Sequence, residues 1–314
     1  MNVSPVSFWW VLGFVGFGFA VGSLSVKLVG PILEAPVFRR RNYRNVEVGV
    51  GSGLALAVAY LVIGAMSAAV VVFTRRNRTP GPWVTAPVTV SVPVALVLGF
   101  AVLGLVDDLG ATGTDRGFGG HLRALWSGRL TTGSLKLFGG GAVALIVTVG
   151  FDSGWRWLLS AAAVALGANL GNLFDRAPGR CLKVGALALV GVIASTIGVG
   201  SFVGPQAGCL LGLVLALLPS DLDETSMLGD TGSNVVGGAV ALYVVARLES
   251  VATSVTVAFV MLLLAVNVLS EAVSFSSVID SVGPLRWFDR LGATPERKAY
   301  GRTSDGPPGT EASR

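Results

Sequence analysis

Charged residues are scarce in this chain. They make up 13% of its 314 residues, whereas a soluble globular domain usually carries about 25%. A mean hydropathy of +0.72 accompanies the shortage, and apolar runs recur along the chain. The composition excludes an ordinary soluble domain and indicates a polytopic membrane protein.

Cysteine and histidine are also rare. The two cysteines, Cys181 and Cys209, stand in or beside apolar runs without metal-site spacing, and we interpret them as small hydrophobic residues in packed helices. His121 is the single histidine, so a histidine-rich metal site is excluded. It could serve as a general base or contact a nucleotide, although an ordinary loop histidine is the more frequent case.

Nine apolar segments approach the length of about 20 residues that a membrane-spanning helix needs. They are 7–30, 50–74, 86–106, 133–151, 155–170, 184–200, 203–218, 233–247 and 250–270. We expect an all-α bundle of about nine transmembrane helices within residues 1–280. A polar tail follows at 281–314, and its composition predicts disorder toward the end. The first segment is too long for a cleaved signal peptide and is interpreted as a span.

The distribution of basic residues predicts the orientation. Sixteen Lys and Arg residues fall on one side of the nine spans and five on the other. The richer side consists of loops 31–49, 107–132, 171–183 and 219–232 and the C-terminal tail. Because cytoplasmic loops collect basic residues, we expect a plasma-membrane protein with its N-terminus outside and its C-terminus in the cytoplasm. Arg75, Arg76 and Arg78 oppose this assignment. The same rule accounts for the net charge of +5 without a nucleic-acid partner.

Carboxylates lie at the edges of three predicted spans on this inner side. Asp107 and Asp108 end the third span, Asp175 follows the fifth, and Asp230 precedes the eighth. Carboxylates beside hydrocarbon are costly unless they are paired or bind a cation, and oxygen ligands suit Mg²⁺. The pattern favours a Mg²⁺ site, although a solvated helix end or a helix cap explains each motif taken alone.

Two further features of the sequence are typical of a phosphate-binding site. Lys136 lies just inside the fourth predicted span, where it either faces a pyrophosphate or reaches to the membrane surface. The glycines and hydroxyls around Asp230 offer backbone N–H groups at a helix N-terminus, which is a common anion site.

These motifs resemble the polyprenyl-phosphate N-acetylhexosamine-1-phosphate transferase superfamily. The most specific are Asp107-Asp108, Asn172-Leu-Phe-Asp175 and Met227-Leu-Gly-Asp-Thr-Gly-Ser233, within a similarity that covers residues 1–270. The resemblance implies that polyprenyl phosphate attacks the β-phosphate of a UDP-sugar, giving polyprenyl-pyrophosphoryl-sugar and UMP in cell-envelope glycan synthesis. It implies Mg²⁺ as cofactor, with Mn²⁺ as a substitute, contacts with membrane lipids, and room for a homodimer.

The resemblance also implies roles for individual residues. Asp107 and Asp108 would act near the polyprenyl phosphate and the metal. Asp175 would be a metal ligand, and Asp230 a second ligand with a catalytic role.

The remaining implied roles concern substrate binding. Lys136 would contact a phosphate and Asn172 would shape the nucleotide site, with Thr231 and His121 as further substrate contacts.

Two positions depart from the family's pattern. Pro178 stands where the family usually has a second aspartate, and the region 270–280 contains no histidine. These departures leave open a catalytically degenerate homologue that binds lipid phosphate or nucleotide as a regulator or scaffold. A transporter is less favoured, because the carboxylates lie in loops rather than at mid-membrane.

Overall fold

Long apolar helices dominate the structure. It is a computed structural model that describes residues 7–42, 44–76, 86–110, 132–150 and 153–295. The long helices within these ranges are α1 (Phe8–Leu33), α2 (Leu54–Arg76), α3 (Ala86–Gly110), α4 (Thr132–Thr148), α5 (Gly154–Phe174), α6 (Arg180–Ala194), α7 (Val203–Leu222), α8 (Gly229–Leu248) and α9 (Thr253–Ala272). Each of the nine predicted apolar segments overlaps one of these helices over most of its length.

Seven of these helices are long and apolar enough to cross a membrane, so the prediction of an all-α polytopic membrane protein is confirmed. The other two, α4 and α6, are shorter. The fifteen residues of α6 rise only about 22 Å, against a hydrocarbon core of about 30 Å. The count of nine crossings therefore stays a prediction.

Both short helices nevertheless run between the two ends of the bundle. Lys136 near the start of α4 meets Asp230 at the start of α8, and the Leu145 carbonyl near the end of α4 accepts from Trp157 near the start of α5. Arg180, the first residue of α6, lies at the same end of the bundle as Asp230. Ser195, just after α6, accepts a hydrogen bond from Arg247 near the other end of α8. Nine alternating helices fit this arrangement.

A small sheet was not predicted from the sequence. Strands β1 (Arg39–Arg41) and β2 (Glu47–Val50) pair antiparallel, and β3 (Ser226–Met227) joins β2 in parallel. The pairing of Val50 with Met227 ties the segment between α1 and α2 to the segment that leads into α8. The sheet thus fixes the chain immediately before Asp230.

Helix α8 lies at the centre of the bundle, packed against α5 and α3, and 67% of its apolar stretch is buried. Glycines allow the close approach at its N-terminus. A Cβ atom at Gly104 of α3 would lie 2.3 Å from the Asp230 carbonyl oxygen, and one at Gly171 of α5 would lie 2.2 Å from the Ser233 carbonyl oxygen. Neighbouring helices therefore meet the start of α8 at backbone-to-backbone distance.

Two short helices, α10 (Phe275–Ser281) and α11 (Gly283–Arg290), follow α9. The sequence-based division placed α11 in a polar tail, but the structure packs it against the start of α6, where Asp289 is buried beside Arg180. Residues 296–314, which hold the segment predicted to be disordered, lie outside the described residues.

Candidate active site

Asp108 caps the central helix from a neighbouring one. Its Oδ1 accepts from the Asp230 N–H at 3.0 Å, and its Oδ2 accepts from the Thr231 N–H at 3.0 Å and the Thr231 hydroxyl at 2.6 Å. The residue preceding α8, Leu228, makes no side-chain cap. Because the first N–H groups of a helix lack partners within it, Asp108 of α3 supplies the missing acceptor.

Asp230 is held between an amide and an ammonium group. Its Oδ1 accepts from Asn172 Nδ2 at 2.7 Å, and its Oδ2 forms an ion pair with Lys136 Nζ. Lys136 also lies 3.8 Å from Asp107 Oδ2. All three charged side chains keep between 21% and 25% of their surface exposed, so the cluster remains open to a bound molecule.

Asp175 occupies the turn just after α5, beside this cluster. Loss of hydration raises the pKa of the Asp175 carboxyl well above its usual value. The negative charges of Asp221, Asp230 and Asp108 raise the pKa further, and a hydrogen bond from the Gly229 N–H opposes the rise. Among the described residues, no lysine or arginine forms an ion pair with Asp175.

Asp221 fixes the two acidic segments relative to each other, a role that the sequence analysis did not assign. Its side chain is buried, with Oδ2 accepting from the Gly179 N–H at 2.6 Å and Oδ1 from the Leu228 N–H at 3.0 Å. Gly179 closes the turn that carries Asp175, and Leu228 directly precedes α8. A carboxylate within the last turn of an apolar helix was the only signal in the sequence.

A second ion-pair network holds the strand hairpin. Glu224 is buried and accepts from Asn42 Nδ2 at 2.8 Å and from Arg44 Nη2 at 2.9 Å. Arg40 donates to the carbonyl of Asp108 at 3.0 Å and to that of Leu109 at 3.3 Å. Arg40 thus offsets the negative end of the helix dipole at the C-terminus of α3.

The structure brings together Asp107, Asp108, Lys136, Asn172 and Asp230, with Asp175 next to them. Thr231 is fully buried and its hydroxyl is bound to Asp108, so contact with a substrate would require exchange of that hydrogen bond. His121 lies outside the described residues.

The donor set suits a hard divalent cation. The pKa of Asp175 is raised by lost hydration and by three neighbouring carboxylates, and a cation would offset both effects. Asp230 would be the second protein ligand. In the described part of the chain, no group of three Asp, Glu, His or Cys side chains is arranged to hold a metal by itself. This fits a Mg²⁺ that takes its other ligands from phosphates and water.

The fold and this cluster define a polytopic membrane protein with an acidic, lysine-containing site at one end of its bundle. Comparison with curated proteins gives 30% identity over 233 residues to the phospho-N-acetylmuramoyl-pentapeptide-transferase of Moorella thermoacetica, covering 68% of this chain and 71% of that protein. The transferase of the same name from Shouchella clausii is 29% identical over 163 residues, or 47% of this chain and 49% of that protein. No family model matches the chain. The chain belongs to the polyprenyl-phosphate N-acetylhexosamine-1-phosphate transferase superfamily, which includes these transferases.

Proposed function

We propose that this protein transfers a sugar-1-phosphate from a UDP-sugar to polyprenyl phosphate in cell-envelope glycan synthesis. An oxygen of the polyprenyl phosphate attacks the β-phosphorus of the UDP-sugar. The bond from that phosphorus to the bridging oxygen breaks, and the bridging oxygen leaves with UMP. The products are polyprenyl-pyrophosphoryl-sugar and UMP.

One observation carries the proposal. Lys136 of α4, Asn172 of α5 and Asp108 of α3 all converge on Asp230, the second residue of α8. Membership of a phospho-sugar transferase family supports the same chemistry. Phosphoryl transfer depends mainly on positioning and charge neutralisation, and groups held by four helices supply both.

Each residue then has a role. Lys136 exchanges part of its pairing with Asp230 for a phosphate oxygen of the donor. Asn172 and Thr231 help to shape the nucleotide side of the site. Asp107, which shares Lys136 with Asp230, faces the polyprenyl phosphate. Asp108 acts by holding the start of α8 in place.

Mg²⁺, or Mn²⁺ in its place, would be held by Asp175 and Asp230. When bound, it would neutralise the pyrophosphate. The chain's own contribution is to keep the two carboxylates in fixed positions, since Asp221 hydrogen-bonds the backbone on both sides.

The test is UMP release by the full-length protein in lipid, with Mg²⁺, undecaprenyl or decaprenyl phosphate and a panel of UDP-sugars. We expect Asp175→Asn to lower the rate by more than about 100-fold, because even indirect partners of a metal often cost 10- to 100-fold. Asp223→Asn is the matched control, since Asp223 is an exposed carboxylate that takes no part in the cluster. Equal rates in wild type and Asp175→Asn would refute the assignment.

A binding protein without turnover is the second candidate. The observation that favours it is the turn from Arg176 to Gly179, which carries Pro178 in place of a second acidic residue. In this turn, the Gly179 N–H donates a hydrogen bond to Asp221. Saturable, Mg²⁺-dependent binding of a UDP-sugar without release of UMP would support this candidate and reject the transferase.

A further inference from the structure

The segment after the last long helix has two chemically different sides. On α11, the apolar residues Pro284, Leu285, Trp287 and Phe288 follow helical spacing and share one side, whereas Arg286, Asp289 and Arg290 share the other. Eight residues are far too few to span a membrane. A short helix with this division is typical of segments that lie in the membrane interface.

The apolar side of α11 is exposed, whereas the side chains on its charged side are bonded to other protein groups. Trp287 is 67% exposed and Leu285 45% exposed. On the other side, Asp289 is buried in an ion pair with Arg180 at 2.7 Å. Arg290 pairs with Asp280 at 3.2 Å, and Arg286 donates to the Asp280 carbonyl oxygen at 3.1 Å. Asp289 therefore holds α11 to the bundle, the two arginines hold it to α10, and its apolar side faces outward.

This exposed surface continues from the lipid-facing surface of α9. Val268 and Leu269 near the end of α9 are 62% and 52% exposed. Val273, Val278 and Val282 continue the exposed apolar surface up to α11. Only two residues, 273 and 274, separate α9 from α10, so the pair of short helices starts at the level where α9 leaves the hydrocarbon.

The pair is also fastened to the end of the bundle that carries the acidic cluster. Phe174, which precedes Asp175, stacks on Phe275 with ring centroids 5.6 Å apart. Lys183 is buried and donates to the backbone carbonyls of Phe288, Asp289 and Leu291. These contacts set the position of α11 relative to the Asp175 turn.

We propose that residues 275–291 form an interfacial anchor, whose apolar side inserts among the lipid headgroups of the same bilayer that the bundle spans. Trp287 and Leu285 enter the boundary between headgroups and acyl chains, where tryptophan is favoured. Arg286 and Arg290 remain at the headgroup level, where they suit lipid phosphates. The anchor holds the Asp175 turn at a fixed depth relative to the membrane surface.

The test is a depth measurement with a nitroxide label in lipid nanodiscs of phosphatidylcholine and phosphatidylglycerol. Trp287→Cys and, separately, Leu285→Cys carry the label, so that one of the two variants keeps Trp287. Both native cysteines are buried, and wild-type protein measures their background labelling. Glu47→Cys is the aqueous reference, because Glu47 is exposed on the strand hairpin, and Leu269→Cys is the reference in lipid.

We expect both α11 labels to lie about 5–10 Å inside the lipid phosphates, with more collision with oxygen and less with a water-soluble nickel chelate than the label at position 47. Two outcomes would overturn the proposal. Accessibility equal to that at position 47 would place α11 in water. Shielding from both oxygen and nickel would place protein, not lipid, against this surface.

Discussion

At the scale of single residues, the clearest feature is that neighbouring carboxylates in the sequence make different contacts in the structure. Asp107 and Asp108 are neighbours, yet Asp108 is fully engaged with the start of α8 whereas Asp107 faces Lys136. Sequence analysis treated them as an equivalent pair. The difference arises because successive helical side chains point about 100° apart, so that the two carboxylates meet different groups at the start of α8.

The Asp108–Thr231 contact can be tested by a pair of substitutions. Thr231→Val removes the hydroxyl that donates to the half-buried Asp108 carboxylate and keeps the side-chain shape. We expect a loss of about 1.5–3 kcal/mol in unfolding free energy, as for a hydrogen bond to a charged group, measured by thermal unfolding in detergent. Thr231→Ser keeps the hydroxyl and should retain most of the stability. A valine variant as stable as wild type would contradict the capping role.

The raised pKa of Asp175 predicts a link between protons and the divalent cation. Without a cation, the folded protein keeps this proton at pH values where the unfolded chain, with a pKa of about 3.9, has lost it. Stability from this group is therefore present at low pH and falls as pH rises toward the raised pKa.

Mg²⁺ binding should favour the ionised form of Asp175. It should therefore release protons at pH values between the unfolded-state pKa and the raised pKa of this carboxyl. Calorimetric titrations in two buffers of different ionisation enthalpy measure that release, which appears as a difference between the two apparent enthalpies. Asp175→Asn should abolish the difference. Identical enthalpies for the wild-type protein in both buffers would show that Mg²⁺ binds elsewhere.

At the scale of elements, the apolar runs of the sequence located the helices but misplaced several ends. The eighth segment was predicted to begin at 233, whereas α8 begins at Gly229, because Asp108 supplies a cap from another helix. The sixth was predicted from 184, whereas α6 begins at Arg180. Arg180 and Lys183 were assigned to the loop 171–183, but Arg180 is paired with Asp289 and Lys183 donates to backbone carbonyls, so both are accommodated in the helix. Long-range partners decided both boundaries.

The close contact of α3 with α8 gives a prediction for one glycine. Gly104→Ala would place a Cβ 2.3 Å from the Asp230 carbonyl oxygen and force the two helices apart. We expect a loss of about 1–3 kcal/mol in stability, together with reduced UMP release, because Asp108 would lose its position against α8. The matched control is Gly141→Ala in α4, where a Cβ meets nothing within 4 Å. Similar unfolding temperatures for the two variants would refute the packing argument.

At the scale of the whole molecule, the helices run alternately between two ends. Asp107, Lys136, Asn172 and Asp230 come from segments up to 123 residues apart, yet they meet because α3 and α5 end where α4 and α8 begin. The acidic residues that the sequence placed on one predicted side thus lie together in space. Their common location follows from the alternating direction of the helices.

The alternation also predicts where the termini lie. Seven crossings or nine would both place the termini on opposite sides, whereas eight would place them on the same side. Because basic residues favour the side that holds the cluster, we expect the C-terminus in the cytoplasm and the N-terminus outside. Green fluorescent protein fused after Arg314 should fluoresce, and alkaline phosphatase fused there should be inactive. Active phosphatase at the C-terminus would contradict the orientation.

The sequence by itself determined the membrane class, the positions of the long helices and most of the acidic cluster. Apolar runs and boundary carboxylates are local signals, and burial in lipid makes them strong. The tertiary structure alone decided which carboxylate caps α8, how Asp221 joins the Asp175 turn to the start of α8, and that α11 packs against Arg180. Those outcomes depend on hydrogen bonds and charge pairs between residues far apart in the chain, whose energies depend on burial and distance, and neither quantity can be read from residue order.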